Sequence, residues 1–270
     1  MPDDTKFVEL DGARIAYIER SGGHAETLIL CHSLFLDKRM FAGQLSGLSD
    51  RFNIIAYDNR GHGESSKAAD GRYDMDALYD DSAALITALG RGPVHFAGCS
   101  MGGFVALRLA ARRPDLVKSA IAMGSSGDAD ANKAQFAEVL GELTTHGGTN
   151  LKDTLSWIFF GATSLASTDF ANIRDPWIAH LCALDPFFAG PGAGVVYRTR
   201  ILDELAHCRV PVLAIAGAED PVYPVALSQS IADTAPLGEI SVIDKAGHSV
   251  PLEQPDAVNR ALRAFLTRQG

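Results

Sequence analysis

Cysteine is scarce: the 270 residues hold four, Cys31, Cys99, Cys182 and Cys208, none at C-x-x-C spacing. That excludes a paired-thiol redox motif or a cysteine zinc cluster. Three of the four lie in or against apolar runs, as reduced, buried thiols do. No two histidines stand two or four apart, so no metal site and no cofactor is expected. Long apolar runs are missing too, which leaves nothing to span a bilayer. The polar start Met1 to Lys6 lacks the apolar stretch and cleavage site of a secretory leader, and the chain reads as cytoplasmic. Basic runs are absent: 24 Lys and Arg against 33 Asp and Glu leave a net charge of −9. Nucleic acid and anionic membrane surfaces are therefore poor partners.

What is present is a soluble, globular composition, 47% hydrophobic and 21% charged, able to bury a large core. The length suits one α/β core with an insertion. Two β-prone runs, Phe7 to Glu9 and Arg14 to Ile18, flank Asp11-Gly12, a hairpin dipeptide. Apolar runs follow at Thr27 to Cys31, Asn53 to Tyr57, Val94 to Gly98, Leu116 to Met123, Pro211 to Ala216 and Glu239 to Ile243. Helix-length segments separate most of them: Phe41 to Leu48, Met75 to Leu89, Met101 to Arg112 and Val225 to Ala232, with a closing helix near Asp256 to Thr267. This alternation predicts a mostly parallel, eight-stranded sheet flanked by helices. Met101, Val105 and Leu109 recur on one face of their helix, which Pro114 ends.

Between Met123 and Pro211 the strand rhythm stops, and helical pieces broken by Gly147-Gly148, Pro176, Pro186 and Gly190-Pro191-Gly192 take over. We expect a core in two parts, 1–127 and 205–270, with an inserted helical cap over 128–204. The cap is dense in aromatics: Trp157, Trp177, Phe159, Phe160, Phe187 and Phe188. Such side chains either line a pocket or hold the cap's own core together.

The sharpest chemical signal is Gly98-Cys99-Ser100-Met101-Gly102, set between an apolar run and a helix. This is G-x-S-x-G in the strand–turn–helix setting that lifts a serine hydroxyl above a sheet edge. A serine nucleophile needs a base. His248, after the last strand-like run and before Pro251, is the candidate; His24, His146 and His207 read as surface residues, His95 as a strand residue, and His180 as a cap surface position. The base needs an orienting carboxylate. Asp220 stands just past Pro211 to Ala216, with Glu219 beside it and Asp128 after Leu116 to Met123 as competitors. Backbone N–H groups of Met101, at the helix start, and of Leu34, in the turn after Thr27 to Cys31, are placed to hold an oxyanion. His32 braces that turn. Asp58 to Ser65, although glycine-rich, lacks the lysine of a P-loop and the third glycine of a dinucleotide fingerprint, and reads as a structural turn.

With these residues in place, the chain resembles the α/β-hydrolase superfamily along nearly its whole length. The carrying motifs are His32-Ser33-Leu34, Asp58 to Ser65, Gly98 to Gly103, Gly217-Ala218-Glu219-Asp220-Pro221 and Ala246-Gly247-His248. Within it the chain is most similar to 3-oxoadipate enol-lactonases, on Ser33, Asp37-Lys38-Arg39-Met40-Phe41 and the Ser-Met-Gly-Gly run. Those relatives usually carry Gly where Phe35 stands and Trp where Phe41 stands. The resemblance implies an α/β-hydrolase fold and a serine hydrolase acting on a small ester or lactone through Ser100, Asp220 and His248, without cofactor. Lyase, perhydrolase and ligand-receptor uses of the same fold are its rivals. Phe35, Phe41, Trp157, Phe160 and Trp177 are the candidate pocket residues, and assembly into a homo-oligomer is left open.

Overall fold

The computed structural model describes residues 4–269; Met1 to Asp3, part of the polar start read above, lie outside the described residues. One eight-stranded sheet runs through the molecule: β1 (Lys6–Leu10), β2 (Ala13–Arg20), β3 (Thr27–Cys31), β4 (Asn53–Tyr57), β5 (Val94–Cys99), β6 (Val117–Met123), β7 (Val212–Gly217) and β8 (Gly238–Ile243). Their spatial order is β1-β2-β4-β3-β5-β6-β7-β8. β1 and β2 form an antiparallel hairpin across Gly12, whose φ of 81° only glycine adopts easily. β2 also pairs antiparallel with β4, and every other pairing is parallel. β3, β4, β5 and β7 are buried at every position because helices cover both faces, which is why they read as unbroken apolar runs.

The helices are α1 (Ala42–Leu48), α2 (Met75–Leu89), α3 (Met101–Arg112), α4 (Lys133–His146), α5 (Lys152–Phe159), α6 (Ala162–Ala166), α7 (Ala171–Cys182), α8 (Ala189–Val196), α9 (Leu202–Leu205), α10 (Val225–Thr234), α11 (Val250–Glu253) and α12 (Pro255–Leu266). A 3-10 turn, Lys38–Phe41, precedes α1 and takes Phe41 out of it, because the Asp37 carboxylate accepts from the Arg39 N–H and caps that turn first. α3 is buried on all sides over its first ten residues rather than on one face. It lies between the sheet, α2 and α9. Even Arg108 is sealed there at 1% exposure, donating to the Thr199 carbonyl.

Two features position the site. The chain runs from β3 outward to β4, then crosses back to β5 on the other side of β3. The parallel strands thus reverse their order of addition between β3 and β5, and a crevice opens beyond their carboxyl ends. The loops after β3, β5, β7 and β8 carry Leu34, Ser100, Asp220 and His248 to that edge. The helical stretch α4 to α8 folds over the same edge.

Candidate active site

Ser100 is forced into an unusual backbone. It holds φ 50° and ψ −110° at the head of α3, a conformation that costs a non-glycine residue on the order of 1–3 kcal/mol. Neighbours fix it: its N–H donates to the Met123 carbonyl at 2.8 Å, and its carbonyl accepts from Ser125 Oγ at 3.0 Å. The turn closes only because Gly98 and Gly102 have no Cβ; one added to Gly98 would overlap the Gly102 backbone, and one on Gly102 would overlap the Cys31 carbonyl.

His248 Nδ1 donates to Asp220 Oδ2 at 3.0 Å, with both side chains buried. Asp220 is itself held, its Oδ1 accepting from the N–H groups of Val222 (2.8 Å) and Tyr223 (2.9 Å). The imidazole packs between the Tyr223 ring at 5.3 Å and the Phe159 ring at 5.9 Å. Its Nε2 is therefore left to the cavity that Ser100 also lines. The Ser100 hydroxyl makes no hydrogen bond to a described group, His248 included. Such bonds often tighten only when substrate enters.

The competing carboxylates are engaged elsewhere. Glu219 accepts from the N–H and hydroxyl of Thr163 at 2.8 and 2.5 Å, and Asp128 pairs with Arg200 at 3.2 Å.

The turn after β3 is braced by His32, which donates from Nδ1 to the Ser33 carbonyl at 2.7 Å and accepts at Nε2 from the Asn59 N–H at 2.9 Å. Burial pushes its pKa down to about 4, so the ring is neutral and the pattern fits that single tautomer. Phe35 sits at φ 66°, at the position where the enol-lactonases named above usually carry glycine. Its carbonyl accepts from His180 Nε2 at 2.9 Å. His180, which could have faced a pocket or solvent, is thus a tether between α7 and the turn after β3. Neither the Leu34 nor the Met101 N–H donates to a described acceptor, which leaves both free for an oxyanion. Asp58 to Ser65 forms a turn anchored by ion pairs at its buried end: Asp58 takes Lys38 at 2.7 Å, and Arg60 forks onto Asp81 at 2.5 and 2.6 Å.

Ser100 and His248 open into a partly open cavity of about 60 Å³. Of the five candidate pocket residues, Phe35 alone lines it. Phe41 is fully buried in the core, because its 3-10 turn points it inward. Phe160 meets Phe170 edge-on and Trp177 meets His180 edge-on, both inside the helical stretch. Trp157 lines a neighbouring groove. The walls come instead from Phe136, Leu140, Ile158, Phe159, Val195 and Tyr223, among others. Periodicity held the missed signal: Leu155, Ile158 and Phe159 form an apolar i, i+3, i+4 stripe on α5 that excludes Trp157.

Asp130 also reaches the wall, paired with Arg198 at 2.8 Å and accepting from the Tyr223 hydroxyl at 3.3 Å. Among the described residues, no group of three or more His, Cys, Asp or Glu side chains could hold a metal ion, and no helix is long and apolar enough to cross a membrane.

Comparison with known proteins places this geometry among relatives. The family model described as alpha/beta hydrolase fold matches residues 26–255. The chain is 30% identical over 242 residues to 3-oxoadipate enol-lactonase 2 of Acinetobacter baylyi, covering 89% of this chain and 88% of that one. It is 26% identical over 260 residues to the "Putative carbamate hydrolase RutD" of Agrobacterium fabrum, covering 92% and 95%. Among solved structures, a thermophilic esterase from Thermogutta terrifontis superimposes with a TM-score of 0.88 at 25% identity, covering 98% and 99%. These relatives share a scaffold while their names differ in reaction.

Proposed function

The chain belongs to the alpha/beta hydrolase fold family, and from that premise we propose that it is a serine hydrolase of small, uncharged carboxylic esters. One observation carries the reading: Ser100, held at φ 50° on a helix N-terminus, lines the same mainly apolar cavity as a histidine whose Nδ1 is fixed by a buried aspartate.

In the proposed cycle, His248 Nε2 takes the Ser100 hydroxyl proton as Oγ attacks the ester carbonyl carbon. The Leu34 and Met101 N–H groups hold the oxyanion; each such donor typically contributes about 2.7–4 kcal/mol to transition-state stabilisation. The carbon–oxygen bond to the alcohol breaks, and the alcohol leaves with the proton from His248. Water, deprotonated by the same imidazole, then releases the acid and restores Ser100.

Ester is favoured over a carboxylate-bearing lactone by the cavity wall. No Lys or Arg is among its lining residues, and its single acidic side chain, Asp130, is matched by Arg198 behind it. A free carboxylate on the substrate would enter without a counter-charge.

The test is acid release from short linear esters, neutral γ-lactones and carboxylated enol lactones, each with Ser100→Ala as control. The proposal expects Ser100-dependent acid from the short neutral esters foremost. Preference for the carboxylated lactones would overturn the substrate assignment, and no Ser100-dependent acid at all would leave lyase or receptor use of the fold.

A further inference from the structure

Trp157 is 49% exposed and makes no ring contact or hydrogen bond with another described residue. It is not isolated on the surface, however. It lines an open groove of about 480 Å³ that shares four wall residues, Phe136, Val139, Ile158 and Val222, with the catalytic cavity. The two spaces adjoin along these four side chains.

The groove adjoins the histidine side of the cavity. Pro221 and Val222, on one bank, directly follow Asp220. The other bank is α5, which ends in Phe159, packed against the His248 ring. His248 delivers the proton to the departing oxygen, so the leaving group must pass the imidazole. Leu34, Phe35, Leu140 and Val195 line the cavity and not the groove, and the small volume beside them is left to the acyl carbon chain.

Chemistry narrows the occupant. Trp157 offers an uncovered aromatic face and a free indole N–H. Asp153, one turn earlier on the same face of α5 and exposed, is the one ionisable side chain among the described residues lining the groove. A planar ring can stack there, and an anion meets an unpaired carboxylate.

We propose that this groove is the leaving-group subsite, and that the enzyme acts on esters joining a short acyl chain to an aromatic alcohol without negative charge, whose ring stacks on Trp157. This rests on the serine hydrolase reading and adds the alcohol half of the substrate. In the acylation step the Ser100 Oγ–acyl bond forms and the acyl–oxygen bond of the aromatic alcohol breaks. The alcohol carries away the proton that His248 took from Ser100.

The experiment compares kcat/KM for ethyl acetate, benzyl acetate and benzyl acetate bearing a para carboxylate, in wild type, Trp157→Ala and Asp153→Asn. Loss of one stacking contact corresponds to about a tenfold effect. We expect Trp157→Ala to lower benzyl acetate turnover about tenfold while ethyl acetate, which stops short of the groove, changes far less. Asp153→Asn should raise turnover of the carboxylated ester selectively. Equal losses on ethyl and benzyl acetate in Trp157→Ala, or none on either, would overturn the subsite.

Binding of benzyl alcohol to the Ser100→Ala protein, read by tryptophan fluorescence and compared with a Ser100→Ala, Trp157→Ala double variant, tests the groove apart from turnover. A signal that vanishes in the double variant supports the subsite even if the esterase reading fails. An unchanged signal contradicts it even if ethyl acetate is hydrolysed.

Discussion

Asp220 shows how much of a residue's role is fixed by what it touches. Its carboxylate spends one oxygen on two backbone N–H groups and the other on His248 Nδ1. Replacing it with Asn would keep most of the shape while presenting an amide that can donate to Nδ1, favouring the tautomer with its proton on Nε2, where Ser100 needs an acceptor. Asp220→Asn is expected to lower kcat by roughly 10⁴, the scale seen when a buried triad carboxylate becomes an amide. Fluorescence and thermal melting should report a folded protein. Near-normal turnover in that variant would show that some other group orients His248. The placement of Ser100, Asp220 and His248 at one sheet edge was legible in the sequence, because each follows an apolar run that becomes a strand of the sheet. Glu219 and Asp128 could be set aside only in three dimensions, where Thr163 and Arg200 occupy them.

At the scale of elements, the histidine loop is clamped by a residue that no motif flagged. Glu253, at the end of α11, accepts from the Gly247 N–H at 2.9 Å and from the Gly161 N–H at 2.8 Å. Burial pushes its carboxyl above the ordinary range, while Ser164 and the two N–H groups pull the other way. One carboxylate thereby ties the loop before His248 to the start of α6, and the Ser249 N–H adds a bond to the Phe159 carbonyl at 3.0 Å. Glu253→Gln turns an NH2 toward one of the two N–H donors and leaves it unsatisfied. The expected cost is about 1–3 kcal/mol of stability, with kcat falling and KM changing less, since the imidazole rather than the substrate loses its support. A variant with unchanged melting temperature and kcat would remove Glu253 from that role.

The His180 bond to Phe35 belongs to the same scale. Neither contact was readable beforehand, since Glu253 and His180 each act on a group distant in sequence, 92 and 145 residues away. The strands fared better: β3 and β4 match the expected bounds because burial on both faces writes an uninterrupted apolar run. The pocket walls did not, because aromatic density in α5 to α7 is divided among three environments: the helical stretch's own core, the cavity and the outer groove.

For the molecule as a whole, three buried imidazoles link folding to pH. Burial pushes His32 down to about 4 and His62 to about 3, and lowers His95 as well. In the unfolded chain each would take its proton near pH 6.5. The unfolded state therefore binds more protons below that value, so the stability these rings contribute is complete above about pH 6.5 and is lost as the pH falls toward the folded values. For His32 alone the difference comes to about 3 kcal/mol. Urea unfolding between pH 6.5 and 5, where most carboxylates stay ionised, should show a midpoint that drops steadily. A flat midpoint across that window would mean that the rings are reached by solvent or protonated in the fold. The net charge of −9 acts at this scale too, disfavouring anionic substrates before they reach the groove.

The proposed hydrolysis requires a covalent acyl intermediate on Ser100. The most direct measurement is a rapid acid quench of the protein with a short-chain acyl ester, followed by mass analysis of the peptide containing Ser100. An added acyl mass on Ser100, absent in Ser100→Ala, is the predicted result. Turnover that persists undiminished in Ser100→Ala, or an acyl group found on another residue, would contradict it.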